Sequence, residues 1–450
     1  MGVGLAALNR LASAAAIDRL RLRKPMEKAV YEASRGGFRT LGAANRAFTA
    51  VQARSKPDRP ATAGERGLFD LTPSDEQQMI VDATREFAAE QLRPKAAGAE
   101  RDCVAPEALL KRSVTELGVT LVGIPESLGG MGSERSSTTG VLVAEALAHG
   151  DMGLAVACLA PAGVSNALVL WGNEQQQATY LPAFVGDDVP ASALAINEPH
   201  LLFDPFALRT SARRTPGGFV LDGVKSLVPR ADKAELFVVA AELEGSPALF
   251  LIESSTPGIT VEAEPAMGLR AASMARLTLT GVQVPMRGLL GDAAAVNAAA
   301  NQAAANQAAA DYAAANYAEC VRLARLGWAA LALGTAKAVL DYVIPYVNER
   351  HAFGEPISHR QAVAFMVANI AIELEGARLV TLRAAARAEQ GKPFAREAAL
   401  ARRLTTEYGM RIGSDGVQLL GGHGYVREHP VERWYRDLRA VGVMEGVVLV

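Results

Sequence analysis

The sequence predicts an α+β fold that is mostly α: an N-terminal helical domain, a small central antiparallel β domain and a C-terminal four-helix bundle. Three observations carry this. Apolar residues recur at helical spacing before about residue 190 and again after 319. Between them, short β-branched or aromatic runs are separated by Gly and Pro. The chain has 450 residues, 50% of them hydrophobic, enough for two or three packed units.

Residues 1–66 read as a basic helical extension and linker. Leu5, Leu8, Leu11 and Ile17 lie among alanines, and Arg19, Arg21, Arg23 and Lys24 follow. The helical domain spans 67–190. It opens at Pro73-Ser74, where Gln77 completes a capping-box pattern, and Ile80, Ala83 and Phe87 then share one face. Further helices are expected from Pro106 to about Leu117, from Ser137 to Ala148 and from Gly153 to Gly172. The Gly-rich stretch Gly123–Gly132 leaves no room for a regular element. In the β domain, 191–292, strands are expected at Gly218–Val228, Glu235–Ala241, Ala248–Ile252 and Leu277–Val284. Residues 293–318 are built of Ala, Asn, Gln and Tyr, with Asn301, Asn306, Asp311 and Asn316 five apart. That period does not match a helical turn, although alanine favours helix, so the stretch reads as an exposed, partly helical linker. The bundle, 319–450, carries Leu323, Leu326, Ala330, Leu333 and Val339, then Val363, Phe365, Val367, Ile370 and Leu374. A third long helix is expected near Ala395 to Asp415.

Formal net charge is −2, which gives no general attraction to nucleic acid. Residues 1–66 nevertheless hold 13 Lys and Arg against 5 Asp and Glu. Three readings of that surplus stay open: a packing extension, a peripheral contact with an anionic membrane, or a transit peptide. The first two go with a cytoplasmic protein and the third with the mitochondrial matrix. Cys103, Cys158 and Cys320 are isolated, which fits a reducing compartment and neither a disulfide framework nor a zinc site. The six His show no metal-ligand spacing. No run of 18 or more apolar residues appears, so no membrane-spanning helix is expected.

The chemistry concentrates in Gln418–Val450. A glycine cluster, Gly421, Gly422 and Gly424, is followed by Glu432, Arg433, Arg436, Asp437 and Arg439. Then comes a lone carboxylate, Glu445, between Met444 and Gly446 and amid Val441, Val443, Val447 and Val448. An acid in apolar company loses hydration, and its pKa rises toward the range of a general base. Gly446 lets a ligand approach the backbone. The competing reading is a carboxylate on a solvated chain end.

These motifs, in this order, resemble the acyl-CoA dehydrogenase family of flavoproteins, over about Leu68 to Glu445. Arg350-His-Ala-Phe-Gly-Glu-Pro-Ile357 matches the family's Arg-x-x-Phe-Gly-x-Pro-Ile stretch, which includes Phe353, and Gln361 matches the glutamine that follows. Gln418-Leu-Leu-Gly-Gly-His-Gly-Tyr425 matches its glycine loop, and Arg436-Asp437 precedes Glu445-Gly446 at the family's spacing. The resemblance implies that Arg350 and the loop Gln418–Gly422 hold the diphosphate and adenine end of FAD, often across a subunit boundary. A guanidinium and glycine N–H groups suit a diphosphate. Arg350 could instead pair with Glu349 or Glu355. Arg325 matches the arginine that supports the acyl site, or is ordinary helix-surface charge. Some relatives draw the base from the position of Ala324, which cannot ionise here.

The resemblance further implies that Asn197, in Asn197-Glu198-Pro199, faces the flavin pyrimidine. It implies too that Val228 and Pro229 lie at the flavin, where the family carries an aliphatic residue and then a Thr or Ser near flavin N5. Proline supplies neither hydroxyl nor N–H. Leu201, Leu202 and Phe203 replace the family's small turn residues, and Val447 its hydroxyl after Glu-Gly. The implied activity is oxidation of an acyl-CoA to the trans-2-enoyl-CoA. Glu445 would remove the α-proton while the β-hydride goes to flavin. An electron-transfer flavoprotein would be acceptor, and the assembly a homodimer or homotetramer. A flavin oxidase or monooxygenase of the same fold, and a non-catalytic acyl-CoA-binding subunit, are the alternatives.

Overall fold

The computed structural model describes residues 71–133, 135–291 and 302–445. The basic extension expected at 1–66, and Gly446 and Val447, lie outside the described residues.

Helix α1 (Asp75–Phe87) starts where the capping pattern puts it. Gln77 N–H donates to Ser74 Oγ at 3.2 Å, and Ser74 N–H to Gln77 Oε1 at 3.0 Å. A five-residue π-turn, Ala88–Leu92, joins it to α2 (Arg93–Asp102). Pro94 lacks the N–H that would reach back to Glu90, which loosens the helical ladder there. Next come α3 (Glu107–Leu117), α4 (Ser137–Gly150), α5 (Met152–Trp171) and α6 (Glu174–Tyr180). Against expectation, α5 and the stretch Asp311–Glu349 are each long and apolar enough to cross a membrane. Both are mostly buried within the protein, so core packing accounts for their apolarity.

The central sheet holds β1 (Ser192–Ala195), β2 (Ser211–Thr215), β3 (Gly218–Pro229), β4 (Leu236–Leu243), β5 (Ser246–Glu253), β6 (Ile259–Ala263) and β7 (Met274–Pro285). Their order is β1-β4-β2-β3-β7-β6, with β5 on β4. The sheet is not wholly antiparallel, since β1 and β2 each run parallel to β4. Strands β1, β2 and β6 escaped the sequence reading because each has only four or five residues, too few for a pattern. In β3 the register slips between Lys225 and Val228. Glu264 fills that bulge, accepting from Ser226 Oγ at 2.9 Å and from Leu227 N–H at 2.8 Å. Bulges of this kind re-aim side chains beside functional sites.

The segment expected as a linker is largely helix. Helix α7 (Gln302–Glu349) is one element of 48 residues. Alanine propensity outweighs the five-residue polar period. Tyr317 there is fully buried, its hydroxyl donating to Pro205 O at 2.5 Å. A short hairpin of β8 (His351–Ala352) and β9 (Glu355–Pro356) follows, turning at Phe353 (φ 56°) and Gly354 (φ 87°). Then come α8 (Gln361–Glu389), α9 (Ala395–Leu420) and the short α10 (Val431–Leu438). Among the described residues the expected four-helix bundle is thus three long helices and a short one.

A buried ionic node locks α10 in place. Arg433 Nε lies 3.1 Å from Asp151 Oδ2, and Asp437 Oδ1 accepts from Leu269 N–H at 2.7 Å. Gly268 permits this approach, because a Cβ there would sit 2.5 Å from Arg436 O. One node therefore joins the start of α5, a β-domain loop and the helix that leads to Glu445.

Candidate active site

Glu445 is buried, 7% exposed, with φ at 50°. This rules out the solvated chain end. Its backbone is held from both sides. The N–H donates to Asn197 Oδ1 at 2.7 Å, and the carbonyl accepts from Arg325 Nε at 3.2 Å and Nη2 at 2.9 Å. Arg325 is therefore not ordinary surface charge. The side-chain Oε2 of Glu445 has no hydrogen-bond partner. Burial pushes the Glu445 carboxyl up to about 7, against the pull of Arg402 and Arg325.

Arg402 is the residue the sequence reading missed. It is 3% exposed, and its Nη2 donates to Met444 O. Its signal was periodicity: Ala398, Arg402, Thr405 and Gly409 fall on the buried face of α9. A charged residue on such a face needs a partner, and here it is the backbone and carboxylate at the chain's functional end.

Asn197 is positioned by a second buried pair. Lys225 Nζ, fully buried, lies 2.8 Å from Glu198 Oε1 and 3.1 Å from Ile196 O. Glu198 also accepts the N–H groups of Arg209 and Thr210 at 2.8 and 2.9 Å. Burial lowers Lys225 to about 8 despite this partner. Asn197 Nδ2 donates to Met444 Sδ at 3.4 Å. Both ends of the Asn197 amide are thus engaged by the Met444–Glu445 segment.

The candidate cofactor residues divide into two groups. Arg350, Phe353, Gln418, Gly421 and Gly422 line one open cavity of about 870 Å³, with Gln361 exposed at the start of α8 nearby. Arg350 pairs with neither Glu349 nor Glu355 among the described residues; Glu355 is taken by Arg360 at 3.1 Å. Cβ atoms at Gly421 or Gly422 would meet nothing within 4 Å, so the loop backbone is open to a ligand. Gly424 closes the loop, because a Cβ there would lie 2.2 Å from Val417 O. An unpaired guanidinium beside open glycine backbone fits a diphosphate.

Asn197, Val228 and Pro229 belong elsewhere, and none lines that cavity. Val228 packs into the β-domain core, 1% exposed, so only its backbone can face a ligand. Leu227, at φ 54° on the bulge, instead lines an apolar cavity of about 200 Å³ with Met444, Val443 and Ala440. Apolar walls of this kind fit an aromatic ring system. Together the two cavities suit the two ends of FAD.

A third cavity, about 250 Å³, lies between α4, α5 and α7 and includes Cys320, Leu323 and Ala324. Ala324 adjoins Arg325, which holds the Glu445 carbonyl. Glu445 does not line this cavity; its link to it is Cys320 on the wall, whose thiol is pushed up by burial and, after that, by the Glu445 charge.

The chain matches the acyl-CoA dehydrogenase N-terminal domain over residues 74–188, the middle domain over 193–282 and the C-terminal domain over 314–448. Short-chain specific acyl-CoA dehydrogenase, mitochondrial, of Rattus norvegicus is 32% identical over 380 residues, covering 82% of this chain and 86% of the relative. Short/branched chain specific acyl-CoA dehydrogenase, mitochondrial, of Bos taurus is 32% identical over 382 residues, covering 83% of each. The solved structure of butyryl-CoA dehydrogenase from Megasphaera elsdenii is similar with a TM-score of 0.75 at 27% identity, covering 84% of this chain and 96% of that one. A buried carboxylate, a glycine-loop cradle and three matching domains in sequence thus have one source: the chain belongs to the acyl-CoA dehydrogenase family, whose members are FAD-dependent oxidoreductases.

Proposed function

We propose that this protein is an FAD-dependent acyl-CoA dehydrogenase that converts an acyl-CoA thioester to the trans-2-enoyl-CoA, with Glu445 as the base. The observation that carries this is the Glu445 carboxylate: buried, pushed up to about 7, and with Oε2 unpartnered. A group of that pKa is ionised in part near neutrality, yet holds a proton well once it has taken one. FAD, when bound, supplies the acceptor for the β-hydride. Glu445 Oε2 takes the α-proton. Arg402 and Arg325 keep the carboxylate from rising further. The thioester oxygen gains negative charge as that proton leaves and needs a donor. Glu445 N–H becomes that donor once the substrate displaces Asn197 Oδ1 from it.

Arg350, Gln418, Gly421 and Gly422 bind the diphosphate end of FAD, and the walls around Leu227 and Met444 bind its ring end. That these two groups line different cavities of one chain supports a site completed between copies, in a homodimer or homotetramer. The onward acceptor in this reading is an electron-transfer flavoprotein. Residues 1–66 serve attachment, not catalysis.

The test mixes FAD-loaded protein anaerobically with a panel of acyl-CoAs. Loss of the flavin absorbance, with trans-2-enoyl-CoA detected by mass spectrometry, is the expected result. A protein that binds FAD but is reduced by no acyl-CoA refutes the reading.

A further inference from the structure

The cavity between α4, α5 and α7 is lined by a glycine from each of those helices: Gly140 on α4, Gly163 on α5 and Gly327 on α7. A Cβ at any of the three would meet nothing within 4 Å. Each glycine therefore borders open space instead of admitting a neighbouring helix. A straight acyl chain would leave that space empty, and unfilled apolar volume forfeits contacts.

The lining also limits charge. Arg135 reaches the cavity, but its Nη1 lies 2.7 Å from Glu319 Oε1, and Glu319 Oε2 accepts from Trp171 Nε1 at 3.1 Å. Among the described lining residues no other cation is present to meet a terminal carboxylate. Asn166 supplies an uncharged polar point on the wall. Its Oδ1 is buried without a hydrogen-bond partner, held over Gly123, where a Cβ would come within 1.8 Å of it.

We propose that the acyl group this pocket takes is broad and uncharged, branched or ring-bearing, and not a straight chain or a dicarboxylic half-thioester. This rests on the dehydrogenase reading above, and names its substrate class. Gly140, Gly163 and Gly327 leave the room that such a group would fill.

The test compares equilibrium binding and turnover of cyclohexylpropanoyl-CoA, nonanoyl-CoA and glutaryl-CoA by the FAD-loaded full chain. The first two have the same number of acyl carbons, so shape alone separates them. Cyclohexylpropanoyl-CoA is expected to bind about tenfold more tightly than either, in the range that pocket shape contributes. Gly163→Leu and Gly327→Leu should each remove most of that preference while changing nonanoyl-CoA binding by less than about threefold. Equal or tighter binding of nonanoyl-CoA by the unmodified protein overturns the proposal without any variant. So do leucine variants that fold, by circular dichroism, and keep the preference. Selective binding of the ring thioester without its oxidation would uphold the pocket assignment and refute the dehydrogenase reading. Oxidation of nonanoyl-CoA in preference would do the reverse.

Discussion

Glu445 N–H and Asn197 Oδ1 are 2.7 Å apart, so the donor that a thioester oxygen would use is already engaged by a side chain. Substrate binding must exchange one hydrogen bond for another at this point. Asn197→Ala removes the competitor and leaves a buried N–H unsatisfied, at a cost of about 1–3 kcal/mol. The variant should unfold at lower temperature than the parent when free. An acyl-CoA should then raise the unfolding temperature of the variant more than that of the parent. Equal ligand-induced shifts would show that the thioester does not use this N–H.

The raised pKa of Glu445 sets two pH dependences. Proton abstraction needs the carboxylate, so the rate of flavin reduction should rise with pH through about 7 and level off above it. Stability should move the other way. The folded protein holds the Glu445 proton to about 7, while the unfolded chain releases it near 4.5. Between those values the folded state binds more protons, so this group's contribution is full below about 4.5 and is lost as pH rises through 7. Rapid-mixing kinetics and urea midpoints across pH 4 to 8 check both signs, and Glu445→Gln should flatten its part of the stability profile.

The sequence made Glu445 legible through its apolar company, and α1 through the Ser74–Gln77 cap. It also revealed Arg350 and the glycine loop, because local motifs carry their own spacing. What stayed hidden was long-range. Arg402 lies 43 positions before Glu445 in the chain, and only the packing of α9 on the last segment brings their charges together. The parallel pairing of β1 and β2 with β4 was equally hidden, since a four-residue strand has no detectable period. The polar repeat in 302–318 misled for a different reason. Periodicity finds faces, but a run this rich in alanine makes helix without one.

Lys225 and Glu198 form an ion pair that is almost fully shielded from water, 0% and 2% exposed in their side chains. Breaking such a pair from one side leaves a buried charge and typically costs about 3–5 kcal/mol. Lys225→Met should lower the urea midpoint accordingly. Adding Glu198→Gln should restore part of the loss, because the two changes share one interaction. If the double variant is as unstable as the two single losses combined, the pair does not act as a unit.

Arg350 is the cation on the glycine-lined cavity that has no carboxylate partner in the described hairpin, and this predicts a role in cofactor retention. Arg350→Ala should release FAD on dialysis while the far-ultraviolet circular dichroism stays that of the parent. Its exposed position predicts little loss of fold stability, within about 0.5 kcal/mol. Full flavin occupancy after dialysis would remove Arg350 from the cofactor site.

Glu445→Gln tests the base directly. The amide preserves shape and burial, and the backbone bonds to Asn197 and Arg325 do not involve the changed atoms. What it loses is the ability of Oε2 to accept and hold the α-proton. Removing a general base typically costs about 100- to 10,000-fold in rate. Acyl-CoA affinity should survive, because the pocket walls on α4, α5 and α7 are untouched. The variant should therefore stay yellow and bind acyl-CoA, yet fail to bleach on anaerobic mixing over the time in which the parent is fully reduced. Ala324 offers no replacement, since its methyl group cannot ionise, so bleaching at the parent rate would place the base on a residue other than either of these two.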